Sequence, residues 1–259
     1  METAHAADSA RQTLLNVVSL SDLRGHARDE LLNAHDRAWQ WLAGSGTWLD
    51  GATRIALAAE ARNAAGCSLC QARKDALSPL GVSGAHDTLG VLTSAETDAV
   101  HRIATDAGRL SESWLNGLFD KGLNEGAYIE IAGIVAMTLM MDAFSRAVGA
   151  EPAVSPEQGE GRPTGYRPPG ARKTDAWVAV VRMEDVVESD GALYGGSAGG
   201  VHQALSLVPD SKRAFWALGE PHYIPMTEIR NVDTKARAIS RAQIEILAGR
   251  TSALHQCVY

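Results

Sequence analysis

The chain has 259 residues, of which 45% are hydrophobic and 21% charged, a composition typical of a soluble globular protein and unlike that of a disordered one. Its 24 Lys and Arg against 31 Asp and Glu give a net charge of −7, so neither nucleic acid nor an anionic membrane is an expected partner. No uninterrupted apolar run reaches the length of a membrane span. Residues 1–12 lack the apolar core of a signal peptide, and three cysteines do not make a secreted disulfide framework. We therefore expect a cytoplasmic protein.

Helical periodicity dominates the first part of the chain and predicts an all-α module over residues 1–150. Apolar side chains recur there three and four positions apart, and β-branched alternation is scarce. Thr93 and Glu96 have the spacing of a capping box, which predicts that a helix begins at this point. The predicted helices cover residues 21–42, 49–65, 93–103, 111–118 and 128–148.

A change of composition follows this module. Residues 149–172 contain five of the nine prolines and five glycines, both of which interrupt regular structure. We expect an irregular linker over residues 151–200, with a short strand or an extended arm at 177–183. A second helical module is predicted over residues 201–259, where helical spacing returns at 201–207, 211–218 and 240–254.

Cys67 and Cys70 form the most chemically suggestive motif in the sequence. A cysteine in the first turn of a helix is stabilised as thiolate by the helix dipole and free N–H groups, and Arg73 and Lys74 add positive potential. Thiols at positions i and i+3 share a helix face and can form a disulfide. The pair can be a redox centre, half of a zinc site or two buried core residues. A zinc site needs two more ligands, and the chain has no second CxxC and no HxxxH, so we expect no metal and no cofactor.

A weak internal repeat relates the two modules. Shifting the chain by 190 residues aligns Cys67 with Cys257 and Asp50 with Ser240. In each copy a helix is predicted to begin at the Asp or Ser, with a cysteine seventeen residues later.

The second copy resembles the alkylhydroperoxidase (AhpD) and carboxymuconolactone decarboxylase superfamily, in particular its double-repeat peroxidase-related members. The family motif is Glu, eleven residues, Cys-x-x-Cys, three residues and His, and Glu245 and Cys257 match its first part. The first copy has both cysteines, but Ile55 and Lys74 stand where the Glu and the His are expected. The resemblance implies an all-α fold of two AhpD-like helical modules in tandem, joined by the Pro/Gly-rich linker, with the second module incomplete at its C-terminus.

The resemblance also implies a function, which is thiol-dependent reduction of an organic hydroperoxide in antioxidant defence. The implied catalytic residues are Cys67, Cys70, Glu245 and Cys257. A dithiol protein is the implied reductant, and a homo-oligomer, first of all a dimer, is expected. Two alternatives remain: a decarboxylase-type enzyme acting on a small acid, and a catalytically silent helical oligomer.

Two further polar residues, Glu130 and His101, lie in predicted helices. Glu130 lies in a strongly apolar predicted helix, where a buried carboxylate with a raised pKa can serve as a proton relay for the cysteines. The alternative for Glu130 is an ion pair with Arg102 or Arg109. His101 has no metal-motif spacing, and we expect a histidine satisfied at the surface or in the core.

The counterpart of Cys70 in the second copy would be residue 260, immediately after Tyr259. Some similar proteins have selenocysteine at this place, encoded by UGA, which is normally read as a stop. We therefore expect a UGA codon after the Tyr259 codon, followed by an open frame that encodes a histidine four codons later. Sequencing the nucleotides beyond Tyr259 checks this expectation, and any other stop codon contradicts it.

Overall fold

The structure, a computed structural model, describes residues 20–195, 200–254 and 257. The expectation for residues 1–12 lies outside this range. The described part contains eight α-helices and one small antiparallel sheet of two strands, so the all-α prediction is confirmed. The helices are α1 (Asp29–Ala43), α2 (Gly51–Asn63), α3 (Ser68–Asp75), α4 (Ser94–Asp106), α5 (Glu112–Asp120), α6 (Glu125–Ala147), α7 (Pro209–Gly219) and α8 (Arg241–Leu254); the strands are β1 (Arg172–Lys173) and β2 (Ala179–Val180).

The central element is α6, a helix of 23 residues that is apolar around most of its circumference. It begins where the side chain of Asn124 accepts the N–H groups of Gly126 and Ala127, as expected of an N-cap. Helices α2, α4 and α7 pack around it. In the described chain α6 alone is long and apolar enough to cross a membrane, but 61% of its most apolar window is buried. This helix therefore packs in the core of the described chain.

Local capping signals place several helix starts where the sequence predicts them. The side chain of Thr93 accepts the N–H of Glu96, whose carboxylate accepts the Thr93 N–H, so the predicted capping box is present. Asp50 caps α2 by accepting the N–H of Thr53 at 2.8 Å. Before α8, the hydroxyl of Ser240 accepts the N–H of Gln243. These contacts depend only on neighbours in the chain, which is why the pattern predicts them.

The predicted linker is mostly irregular, but it packs closely on the helices. In the small sheet Arg172 pairs with Val180 and Lys173 with Ala179. The N–H of Ala179 donates to Glu125 Oε1 at 2.8 Å, which fixes the strand to the first turn of α6. Val181, directly after β2, is fully buried.

The predicted helix at 201–207 is wrong, since the chain there forms a 3₁₀ turn at Gly200–Gln203 followed by turns. Leu205 has a φ of +62°, a left-handed conformation that an α-helix of L-residues does not continue through. Beyond it, α7 packs against α1 and α6 and shares their hydrophobic core. In contrast, no residue of α8 is buried, and Ile246, Leu247 and Leu254 are exposed.

A fully buried ion pair lies beside α6. Arg54 Nε is 3.4 Å from Glu130 Oε1, and the second oxygen of Glu130 accepts the Trp48 N–H at 2.7 Å. The Arg54 guanidinium also donates to the Gly44 carbonyl and lies over the ring of Trp41. Burial raises the pKa of Glu130, although the Trp48 N–H and Arg54 act in the opposite direction. Glu130 thus has the ion-pair role considered for it, with Arg54 in place of the arginines expected.

Removing Glu130 should destabilise the fold strongly. The Glu130→Ala substitution leaves Arg54 buried without a counter-charge, which typically costs about 3–5 kcal/mol of unfolding free energy. The exposed pair of Glu112 and Lys173 provides a matched control, because breaking such a pair by Glu112→Ala should cost less than about 1 kcal/mol. Urea unfolding of both variants measures the difference. A Glu130 variant with unchanged stability would contradict this structural role.

Candidate functional site

The two cysteines of the CxxC motif lie at the beginning of α3. Cys67 is the N-cap residue and Cys70 lies in the first turn, as the sequence predicts. Both are free thiols, and their residue exposures are 0% and 3%. Asp87 accepts the N–H of Ser68 at this helix N-terminus and directs its own N–H toward Cys67 Sγ at 3.4 Å. The pair is therefore placed where helix N–H groups favour thiolate, but away from solvent.

Two histidines face these thiols. His86 Nδ1 is 3.6 Å from Cys67 Sγ and 3.5 Å from Cys70 Sγ. His101 Nδ1 is 3.3 Å from Cys70 Sγ. His101 belongs to α4, whereas His86 belongs to the irregular stretch between α3 and α4, residues 76–93, which we call the cover segment. The cluster therefore combines a rigid helical histidine with one from a connecting segment.

The second nitrogen of each imidazole lies within hydrogen-bond distance of a carboxylate. His101 Nε2 is 2.8 Å from Glu60 Oε1, and both side chains are fully buried. His86 Nε2 is 2.9 Å from Asp98 Oδ1. Asp98 and His101 are three residues apart on α4, so they lie on the same helix face. Two thiol–imidazole–carboxylate chains result, one through Glu60 and one through Asp98.

The carboxylates are themselves held in place. The other oxygen of Glu60 accepts the Leu89 N–H and the Thr88 hydroxyl, both at 3.1 Å. The second oxygen of Asp98 accepts Trp114 Nε1–H at 2.8 Å. These bonds fix the carboxylates and hence the orientation of the imidazoles.

Burial and hydrogen bonding oppose each other in setting the pKa of each thiol. Burial raises the pKa of Cys70, but hydrogen bonds to His101 and His86 outweigh it and lower that pKa to about 6. The pKa of Cys67 is also lowered, because N–H groups of Cys70 and Asp87 and the His86 ring outweigh burial. Thiolate is therefore the favoured form of Cys70 at neutral pH.

The imidazoles and carboxylates shift in the complementary direction. Burial lowers the pKa of His86, but hydrogen bonds to Asp98 and the thiols raise it to about 10. For His101, contacts with Cys70 and Glu60 likewise outweigh burial and raise the pKa. Burial raises the pKa of Asp98, yet the His86 and Trp114 bonds lower it to about 2. The cluster therefore favours thiolate beside imidazolium.

The cover segment closes the site from solvent. Val82 packs on the two cysteines and on Leu69, and its carbonyl accepts Arg73 Nε–H at 3.2 Å. Close to its end, the segment is fixed to α2 by Thr88 and Leu89 through Glu60. Because the two cysteines are almost fully buried, we expect a reactant to reach the thiols by displacing part of this segment.

The cluster also has the donor atoms of a metal site. One atom each from Cys67, Cys70, His86 and His101 lies within 4.8 Å of all the others. The expectation of no metal rested on the lack of a second closely spaced ligand pair. His86 and His101 provide the two further donors from places fifteen residues apart, which no short motif reveals.

The remaining residues predicted for the site lie in other surroundings. Glu130 binds Arg54 and Trp48, as described above. Glu245, on α8, accepts the hydroxyl proton of Tyr223 at 2.8 Å and pairs with Arg241 at 2.7 Å. Cys257 is exposed, and its N–H donates to the Ser252 carbonyl. Of the predicted residues, the structure brings together Cys67 and Cys70.

Sequence reasoning missed Glu60, His86 and Asp98, and it expected His101 to be satisfied at the surface or in the core. His101 is buried, but its partners are a thiol and a carboxylate. The signal that was available is the Asp98-x-x-His101 spacing on a predicted helix, which places both side chains on one face. His86 lies in a stretch without periodicity and carries no such signal.

Comparisons with protein-family models, with curated proteins and with solved structures find no match for this chain. Functional inference therefore depends on the geometry of the cluster.

The low thiol pKa can be measured directly. In a chelator-treated Cys257→Ser chain, the thiolate absorbance of Cys70 should have its midpoint near pH 6. The His101→Gln substitution should raise this midpoint, because the thiolate loses its nearest imidazole donor. An ultraviolet pH titration compares the two chains, with Cys70→Ser as the blank. A midpoint in the parent chain near the ordinary thiol value of about 8.5 would contradict the geometry.

Proposed function

We propose that the Cys67–Cys70 pair reduces organic hydroperoxides, with Cys70 as the attacking sulfur. The observation that carries the proposal is the continuous chain from Cys70 Sγ through His101 to Glu60, with distances of 3.3 and 2.8 Å. A nucleophile, a base and a group that orients the base are the elements of an activated nucleophile. Cys67, the N-cap residue of the helix that carries Cys70, is the resolving cysteine.

The chemistry takes two steps. The Cys70 thiolate attacks the terminal oxygen of the hydroperoxide, forming an S–O bond and breaking the O–O bond. The departing alkoxide takes a proton from His101 and leaves as the alcohol, while Glu60 stabilises the imidazole in position. Cys67 then attacks the sulfenic sulfur, so an S–S bond forms while the S–O bond breaks, and the leaving hydroxide takes the Cys67 thiol proton and departs as water. The two thiols have then given up two electrons and become a disulfide.

A reductant must restore the thiols. A dithiol protein can do so by thiol–disulfide exchange, in which its thiolate attacks the Cys67–Cys70 disulfide. Because the proposed reductant works in a reducing compartment, we propose a cytoplasmic location for the protein. The proposed form is a homo-oligomer, with a dimer as the first possibility.

We also propose an AhpD-like relationship, with the proton relay formed by residues at other positions of the chain. In that family a Glu and a His of the motif form a proton relay to the cysteine pair. Here Ile55 and Lys74 occupy those positions, while Glu60 and His101 lie where such a relay is needed. We assign the relay to these two residues and no step to Glu130. The proposed mechanism uses neither Glu245 nor Cys257, the other two residues implied by the resemblance, because their contacts join them to no described part of this cluster.

Hydroperoxide turnover with a dithiol reductant tests the proposal. The Cys70→Ser variant should lose turnover, and Cys67→Ser should form a trappable sulfenic acid without a disulfide. His101→Gln should slow the peroxide step by about 10²–10⁴-fold, the usual contribution of a general acid. Glu60→Gln should change the pH profile of that step, since Glu60 acts through His101. Stopped-flow kinetics and thiol mass spectrometry provide the readouts.

The matched control is Cys257→Ser, which removes the exposed cysteine and should retain full turnover. Loss of turnover in this control, with persistence in Cys70→Ser, would overturn the assignment. Inert thiols in the parent chain would favour the decarboxylase-type enzyme or the silent oligomer, and turnover of a lactone acid would decide between these two.

A further inference from the structure

The distances in the cluster agree with those of a tetrahedral metal site. Zinc binds sulfur at about 2.3 Å and imidazole nitrogen at about 2.0–2.1 Å, so a tetrahedron places these donors about 3.5 Å apart. Three of the four sulfur–nitrogen distances in the cluster are 3.6, 3.5 and 3.3 Å, and the fourth, between Cys67 and His101, is within 4.8 Å. A single thiol–imidazole hydrogen bond has a similar length. However, two sulfurs and two nitrogens all lie within 4.8 Å of one another. A proton relay needs only one such sulfur–nitrogen pair, whereas a metal site needs all four atoms.

The carboxylates that hydrogen-bond to the two histidines also favour a metal site. A histidine that binds a metal through one nitrogen commonly donates its other N–H to a carboxylate, which fixes the ring and makes it a better ligand. Here each histidine presents Nδ1 to the sulfurs and Nε2 to a carboxylate. The arrangement occurs twice, through Glu60 and through Asp98. One relay to Cys70 needs only the first.

We propose that Cys67, Cys70, His86 and His101 form a closed binding site for Zn²⁺, and that zinc occupancy and hydroperoxide reduction exclude each other. Two thiolates and two imidazoles are a donor set that favours zinc among divalent cations of the cell. Four protein ligands leave no open position, so the bound metal offers no place for substrate. The exclusion rests on the proposed function, whereas the zinc site does not.

Oxidation of the metal-free site would prevent zinc from binding. Cys67 and Cys70 give two electrons to the hydroperoxide, an S–S bond forms between them, and the O–O bond breaks. The two oxygen atoms take up the two protons of the metal-free thiol pair and leave as alcohol and water. The disulfide removes two of the four zinc ligands, so Zn²⁺ that has dissociated does not bind again. Reduction by a dithiol restores the thiols and with them the site.

Zinc would also fasten the cover segment. His86 is part of that segment, while the other three donors belong to α3, its N-cap and α4. A metal bound by all four therefore joins residues 76–93 to two helices. Because a reactant is expected to pass this segment, the metal blocks both the sulfur lone pairs and the way to them.

Metal titration of the chelator-treated full chain tests the site. Zn²⁺ should bind with one ion per chain, and Co²⁺ used as a probe should give the d–d bands of a tetrahedral ion together with a thiolate charge-transfer band. Cys67→Ser and His86→Gln should lose this spectrum, and Cys257→Ser should keep it. Glu60→Gln should weaken zinc binding by about 10- to 100-fold, as changes behind a ligand do. The parent chain's charge-transfer band reports Cys–metal bonds even if a variant fails to fold.

Peroxide treatment of the chain with and without zinc tests the exclusion. We expect rapid Cys67–Cys70 disulfide formation in the metal-free chain and a rate that falls in proportion to the zinc-bound fraction. Once the disulfide has formed, the chain should bind no zinc until a dithiol reduces it. If the chain binds no zinc, or if Cys257→Ser abolishes zinc binding, the proposed zinc site is wrong. Neither result contradicts the proposed peroxide reaction. Zinc binding with no disulfide in the metal-free chain overturns the proposed function and the exclusion but leaves the site. Equal rates with and without zinc overturn the exclusion alone.

Discussion

Two imidazole–carboxylate hydrogen bonds, His101 with Glu60 and His86 with Asp98, are the interactions on which the cysteine cluster depends. Polar groups taken out of water are costly unless they find partners, and a lone buried carboxylate is costlier still. Glu60 meets this constraint through bonds to three separate elements: His101 on α4, Asn63 on α2 and the end of the cover segment. The same bonds therefore satisfy the buried charge, orient the imidazole toward Cys70 and close the segment over the thiols.

The helical core provides the rigid frame for this polar cluster. Helix α6 contacts α2 and α4, which carry Glu60 and the His101–Asp98 pair. One of its own buried carboxylates, Glu130, pairs with Arg54. Two of the buried carboxylates among the described residues, Glu130 and Glu60, thus have different roles. One is neutralised by a guanidinium and supports the fold, and the other faces an imidazole that can exchange a proton, which is the difference expected between a structural and a chemical group.

The sequence allowed prediction of those features that depend on near neighbours. The caps at Asp50 and Thr93, the long apolar α6 and the helix-terminal position of Cys67 all follow from contacts within four residues. The site as a whole does not, because Cys70 meets His101 across 31 residues and His101 meets Glu60 across 41. No local sequence pattern predicts contacts between residues so far apart in the chain. The failed helix at 201–207 has a related cause, since packing of Leu205 in a left-handed conformation overrides its helical spacing.

The position of His86 on the cover segment has a consequence for the order of events at the thiols. An outward displacement of residues 86 and 87 withdraws this imidazole and the N–H of Asp87 from sulfur. The open centre then retains a single nitrogen base, His101, on a helix that need not move. The entrance and one of the two acid–base groups are thus the same piece of chain. Opening the segment exposes the thiols and removes two of their hydrogen-bond partners at the same time. The thiols that react therefore have fewer hydrogen bonds than the same thiols in the closed structure.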